Sequence, residues 1–191
     1  MKVTRQQAGE NRARVLRLAA RRFRERGFAG VSVADLMHEA GLTHGGFYKQ
    51  FVSKRDLIAE ACALGLHENL EAYKQLGAKN GLNAIKAVAA EMLSALRRDL
   101  PSEGCVMAAL GGDVSRGERA TRREVTKGIK NILDCLHELA PASSTKRARE
   151  QALATYATIV GAIMLSKSGG RSQALRRDSQ SRSSFPHART R

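Results

Sequence analysis

Cysteine is scarce and shows no pairing pattern: Cys62, Cys105 and Cys135 are odd in number, far apart and form no Cys-x-x-Cys spacing. That excludes a disulfide scaffold and fits reduced thiols in a cytosolic protein. His67 and His137 have no partner at metal-ligand spacing, so no metal is expected. Paired catalytic carboxylates, a nucleophile elbow and a phosphate-cradling glycine loop are all missing, which argues against an enzyme and implies no cofactor. The N-terminus lacks an apolar signal core. The longest uncharged run, residues 151–166, falls short of the roughly 20 residues a membrane span needs and reads as a buried helix. No stretch alternates as a strand would. Acidic side chains are in deficit, 18 against 33 lysines and arginines, for a net charge of +15. Such an excess suits a polyanionic partner, nucleic acid or a membrane surface, but it says nothing of the fold.

The charge is uneven. Residues 1–66 carry 12 basic and 6 acidic side chains, residues 67–166 carry 14 and 11, and residues 167–191 carry 7 and 1. The middle therefore resembles an ordinary globular domain, and 42% hydrophobic residues are enough to bury a core. Helical periodicity runs through nearly all of it. A first helix is predicted over 11–26, with Val15, Leu16, Ala19, Ala20 and Phe23 on one face and arginines elsewhere, stopped by Gly27. Ser32-x-x-Asp35 resembles a capping box and opens a second helix whose Val33, Leu36, Met37 and Ala40 face inward, ended by Gly41. Thr43 caps a third, over 43–50. Helix, short turn, helix is the helix-turn-helix pattern. Ser53-x-x-Asp56 opens a fourth helix to about residue 76, which 77–81 breaks. Further helices are predicted over 82–99, 103–113, 116–139 and 144–167, with Pro101 and Pro141 as boundaries.

The last helix is apolar nearly all round: Leu153, Tyr156, Val160 and Met164 on one face, Ile159 and Ile163 on another. It must be covered on several sides. Ala154, Ala157, Gly161 and Ala162 permit close approach by a second helix; one side can pack on its own domain and the other on a second subunit, a reading favoured over a central helix of a monomeric bundle because a two-fold operator needs a two-fold protein. After Ser168 the composition turns to serine and arginine, the signature of a disordered tail.

The third helix carries the chemistry. Phe47 and Phe51, at i and i+4, read as its anchor in the core. Tyr48 and Lys49 point elsewhere, suited to phosphate, a thymine methyl or guanine. Thr43 caps the helix and can also meet a phosphate; His44 in its first turn can reach base or phosphate. Gly45 and Gly46 each cost about 1 kcal/mol against Ala in a helix, so they need a reason, either close approach to DNA or tight packing. Lys54 opposes the dipole of the following helix unless a phosphate docks there. Arg12 and Arg14 are open to non-specific phosphate attraction, although charge runs more commonly mark a solvated face. A basic amphipathic helix over 12–26 is also compatible with a membrane surface, but its apolar positions are better used for packing.

These residues resemble the N-terminal domain of the tetracycline-repressor (TetR/AcrR) family of bacterial transcriptional regulators. The resemblance covers residues 12–60, through Val15-Leu16, Ala19, Phe23, Gly27-Phe28, Ser32-Val33, Leu36, Ala40 to Thr43, Gly45, Phe47-Tyr48, Phe51, Ser53-Lys54 and Leu57. Gly104-Cys105 before an apolar helix is a looser match. The resemblance implies an all-α fold: a helix-turn-helix head (1–52), a helical effector-binding and dimerisation body (53–167) and the Ser/Arg-rich tail (168–191). It implies a cytoplasmic, nucleoid-associated homodimer that reads a palindromic operator in double-stranded DNA as a repressor, released by a small-molecule effector. The family's DNA contacts carry over to Ser32, Thr43, His44, Gly45, Tyr48, Lys49 and Lys54. Candidate effector-pocket residues are Met92, Leu96, Cys105, Met107, Leu110, Leu133, His137 and Tyr156. Cys105 is better read as a small buried hydrophobe than as a redox-sensitive thiol. In one respect the chain departs from the family pattern. A further amphipathic helix normally follows the one at 144–167 to complete the dimer interface, and here the Ser/Arg-rich segment stands in its place.

Overall fold

The computed structural model describes residues 4–140 and 145–168, and among them there are helices and no strand. The first helix, α1 (Arg5–Arg26), begins earlier than its apolar pattern does. Residues 5–10 are exposed, so nothing apolar marks them; the start is set by Thr4, whose hydroxyl accepts the Gln7 N–H at 3.1 Å. Val15, Ala19, Ala20 and Phe23 are buried, so the apolar face of α1 is used in packing within the chain and is not free for a membrane. In α2 (Val33–Glu39) the predicted cap is present: the Asp35 N–H donates to Ser32 Oγ at 3.0 Å. Gly41, at φ 69°, makes the turn that follows, in the left-handed region that favours glycine. The next element differs from expectation. It is a six-residue 3₁₀ helix, His44–Lys49, rather than an eight-residue helix. Gly45 and Gly46 propagate an α-helix poorly, and a short 3₁₀ segment is what such a sequence sustains.

The long α3 (Lys54–Asn80) is capped by Ser53, which accepts the Asp56 N–H at 3.2 Å. The break predicted at 77–81 is absent at Gly77, which lies buried within the helix. A Cβ there would stand 2.5 Å from Leu139 Cδ2, so this glycine serves helix–helix contact and not a stop. The segment predicted as one helix over 82–99 is divided into α4 (Ala84–Met92) and α5 (Ala95–Asp99), preceded by a 3₁₀ turn at Gly81–Asn83. A further 3₁₀ turn, Pro101–Glu103, leads to α6 (Val106–Arg116), which starts later than predicted. Then come α7 (Arg119–Leu139) and α8 (Thr145–Ser168).

One apolar cluster runs through head and body. Phe23, Leu36, Met37, Phe47, Phe51 and Leu57 join Leu66, Tyr73, Val106, Ile132, Leu136 and Ile159 without a gap. The main link is α3, which packs against α1 on the head side and against α7 along the body, while α1 itself also meets α6 and the turn at Pro101–Glu103. A shift of α3 therefore moves both. In α8 the faces divide differently from the prediction. Ala152, Tyr156, Ile159 and Ile163 are buried together, whereas Leu153 and Met164, expected beside Tyr156, are exposed with Leu165. The serine- and arginine-rich segment predicted as a disordered tail lies, from residue 169 on, outside the described residues.

Candidate nucleic-acid interface

Phe47 is fully buried and Phe51 nearly so, with their rings stacked at a centroid distance of 5.5 Å. These two rings hold the 3₁₀ helix to the head. Thr43, His44, Gly45, Tyr48 and Lys49 are all exposed. The Tyr48 ring, 66% exposed, stands edge-on to Phe47 at 5.2 Å and to His44 at 6.2 Å. The phenol is thus propped between two rings and presents its hydroxyl to solvent. Thr43 Oγ1 makes no capping bond, contrary to the prediction; the turn is closed by its carbonyl, which accepts the Gly46 N–H at 2.9 Å. A 3₁₀ start is satisfied by backbone alone, so the hydroxyl of the exposed Thr43 is left without a capping role. The two glycines separate cleanly. A Cβ on Gly46 would meet Met37 Cε and Thr43 Oγ1 at 3.5 Å, ordinary packing, whereas one on Gly45 would meet nothing within 4 Å. Packing within the chain therefore gives no reason for Gly45.

Ser32 and Lys54 are engaged. The Ser32 hydroxyl donates to Asp35 Oδ2 at 2.7 Å, and those hydrogen bonds hold the Asp35 carboxyl below its usual range. The Lys54 ammonium donates to the Phe28 carbonyl at 2.8 Å. The same residue is gripped from the body: the Phe28 N–H donates to Asp113 Oδ2 on α6 at 3.0 Å. Lys54 retains two further N–H donors.

The arginines of α1 hold the head together. Arg12 Nε donates to the Gln50 carbonyl at 3.1 Å, Arg12 Nη2 to both oxygens of Glu60 at 2.8 and 2.7 Å, and its guanidinium lies 4.7 Å from the Phe51 ring centre. Arg14 donates to the Ala40 carbonyl and to Asn11 Oδ1. Arg22 pairs with Glu39 and Glu25, and the bond to Arg22 keeps the Glu39 carboxyl below its ordinary value. Both arginines offered for phosphate attraction thus fasten α1 to the segments on either side of the 3₁₀ helix. Sequence reasoning missed this because each partner lies far along the chain. It also missed Val52, 86% exposed directly after the tip, where an apolar side chain between buried Phe51 and the capping Ser53 was the available signal.

In the body, Met92, Cys105, Leu110 and Tyr156 are buried, Met107, Leu133 and His137 partly so, and the side chain of Leu96 lies outside the described residues. Burial pushes the Cys105 thiol up, and burial with the neighbouring Cys105 pushes the Tyr156 phenol up. The hydroxyl of Tyr73 and the Nε2 of His137 are buried without a hydrogen-bond partner, and the buried Tyr156 hydroxyl has only the weakly bonding Cys105 sulfur beside it. Tyr73 was not singled out from the sequence; its place in the apolar register of α3 was the signal. Two surface clefts, one on the body and one where α1 meets it, are lined by none of the predicted residues whose side chains are described. No cluster of histidine, cysteine and carboxylate suited to a metal occurs among the described residues, and no helix of those residues is long and apolar enough to cross a membrane.

A sequence profile described as bacterial regulatory proteins, tetR family, matches residues 15–61, from α1 through the 3₁₀ helix into α3. The HTH-type transcriptional regulator TtgR of Pseudomonas putida is 38% identical over 65 residues, 34% of this chain and 30% of that protein. The chain thus spans about a third of the length of the curated relatives it matches. Solved structures match over far more of it. The transcriptional regulator, TetR family, from Cytophaga hutchinsonii aligns with a TM-score of 0.75 over 92% of this chain and 90% of that one, at 18% identity. The transcriptional regulator FadR from Bacillus subtilis, solved with stearoyl-CoA, aligns with a TM-score of 0.64 over 83% and 88%, at 14% identity. At these identities the likeness is one of fold.

Proposed function

We propose that this chain is a member of the tetR family of bacterial regulatory proteins, whose profile matches its residues 15–61, and that it is a sequence-specific DNA-binding repressor whose 3₁₀ tip enters the major groove of a palindromic operator. The observation that carries the reading is the tip itself. Around two buried phenylalanines it presents a hydroxyl, an imidazole, a bare backbone at Gly45, a phenol and an ammonium, all exposed. Each is a group that reads or grips DNA, and the missing side chain at Gly45 lets the backbone approach the duplex. Tyr48 and His44 are assigned to base edges or phosphate, Lys49 and Thr43 to phosphate. Lys54, at the start of α3, is assigned to a flanking phosphate through the two N–H groups it does not give to Phe28. Ser32 takes part only if its hydroxyl leaves Asp35.

A two-fold operator needs a two-fold protein. The largely exposed stripe of α8, with Leu153, Ala157, Gly161 and Leu165 at successive turns, is the face we assign to the second copy. The body, residues 53–167, is assigned to effector binding. FadR, of the same fold, was solved holding an acyl-CoA. The unpartnered hydroxyl of Tyr73, and that of Tyr156 with only the Cys105 sulfur beside it, are the groups here that a bound effector would satisfy. Effector release of DNA would act through α3, which both halves share. A phosphate role for Lys54 is tested by salt titration of operator binding: Lys54→Ala should reduce the slope of log K against log salt by about 0.9, the value of one phosphate contact. An unchanged slope removes Lys54 from the interface.

A further inference from the structure

A cleft of about 260 Å³ opens where α1 meets the body. Arg21 and Arg24 line it from α1, Glu68 and Asn69 from α3, Arg97 from α5 and Glu103 from the 3₁₀ turn after it. Arg24 is the unusual member. Its side chain is only 4% exposed, and a charge so buried is costly unless paired and hydrogen-bonded. Its pairing is incomplete. Nη2 reaches Glu68 Oε2 at 3.5 Å, a weak contact to a carboxylate that is itself 45% exposed, and Nε is buried with no partner. Gly65 leaves room for Nη1, which lies 2.9 Å from where a Cβ would stand. The other ion pair across the cleft is also loose: Arg21 and Glu103 meet at 3.4 Å with both side chains more than half exposed. Arg97 is better held, by Glu91 at 3.2 Å and by the Glu103 carbonyl at 2.7 Å.

We propose that this cleft binds a small molecule through one oxyanion, a carboxylate or a phosphate group, with the Arg24 guanidinium as its anchor. The planar guanidinium presents parallel N–H donors to two oxygens at once, and the unsatisfied Nε supplies one of them. Arg21 and Arg97 complete the positive wall. Glu68 and Glu103 line the same space, so a single anionic group fits and a polyanion is repelled. The ligand would touch α1 of the head together with α3, α5 and the 3₁₀ turn of the body, and its binding would therefore bias how the head sits. Among the predicted effector-pocket residues whose side chains are described, none lines this cleft. The proposal does not rest on operator binding, because it is measured without DNA.

The test is titration of the full chain with sodium acetate and, separately, with inorganic phosphate, against chloride at constant ionic strength, by calorimetry and melting midpoint. Saturable binding of either anion is expected, and the anion that binds identifies the group. Arg24→Met should weaken it about tenfold or more, the scale of a hydrogen bond to a charged group. Arg21→Gln, at an exposed position, should weaken it while leaving the melting midpoint unchanged, and it decides the matter if Arg24→Met fails to fold. Arg17→Gln, on α1 but not lining the cleft, should bind as the unaltered chain does. No saturable binding of either anion overturns the proposal, as does binding equally strong in Arg21→Gln and in any folded Arg24→Met.

Discussion

Phe47 and Tyr48 are neighbours in sequence with opposite tasks. Phe47 is fully buried, so Phe47→Ala should cost about 3–5 kcal/mol and unfold the head at lower urea. Tyr48 is 66% exposed, so Tyr48→Ala should leave the urea midpoint within about 0.5 kcal/mol while specific DNA binding is lost. The glycines separate in the same way. Gly41 holds φ 69°, and Gly41→Ala should cost about 1–2 kcal/mol in a urea melt. Gly45 has open space before it and no positive φ, so Gly45→Ala should be neutral or stabilise by up to about 1 kcal/mol. If the backbone at Gly45 approaches DNA, the same variant weakens operator binding; a variant that is both stable and fully active contradicts that approach. The sequence alone left close approach and tight packing equally open for both Gly45 and Gly46. Only the surrounding atoms, absent from a linear reading, distinguish them.

At the scale of elements, what was legible followed from local chemistry. Ser32-Asp35 and Ser53-Asp56 mark helix starts because a cap and its N–H lie three residues apart. Phe47 and Phe51 were legible as anchors by the same kind of spacing. What was not legible depended on distant partners. Gly77 reads as a stop until Leu139, far along the chain, is placed against it. Gly77→Ala should then cost about 1–3 kcal/mol by overpacking despite the gain in helix propensity, measured by urea denaturation. A stabilised variant would show that α7 yields there. Arg12 reads as a solvated charge until Glu60 and the Gln50 carbonyl are brought to it. The face division of α8 was misread because its composition is apolar nearly all round, leaving the neighbours rather than the pattern to choose the buried side.

For the whole molecule, the all-helical fold was legible because periodicity is a property of every segment, whereas the internal surfaces of the body were not. The body has no motif that marks a ligand, only apolar positions that serve a core equally well. Its paired state is open to measurement. Leu153→Asp on the exposed stripe of α8 should convert a dimer to a monomer in sedimentation velocity and abolish binding to a two-fold site, with little change in helicity by circular dichroism. A Leu153→Asp chain that remains dimeric moves the interface elsewhere. The central claim, that the tip anchored by Phe47 and Phe51 reads DNA sequence, is tested most directly by selecting bound sites from a randomised duplex pool with the full chain and with Tyr48→Ala. The account predicts that the unaltered chain enriches a short two-fold-symmetric sequence and that Tyr48→Ala, equally folded, does not. Enrichment of no sequence by the unaltered chain, or of the same sequence by both, would contradict it.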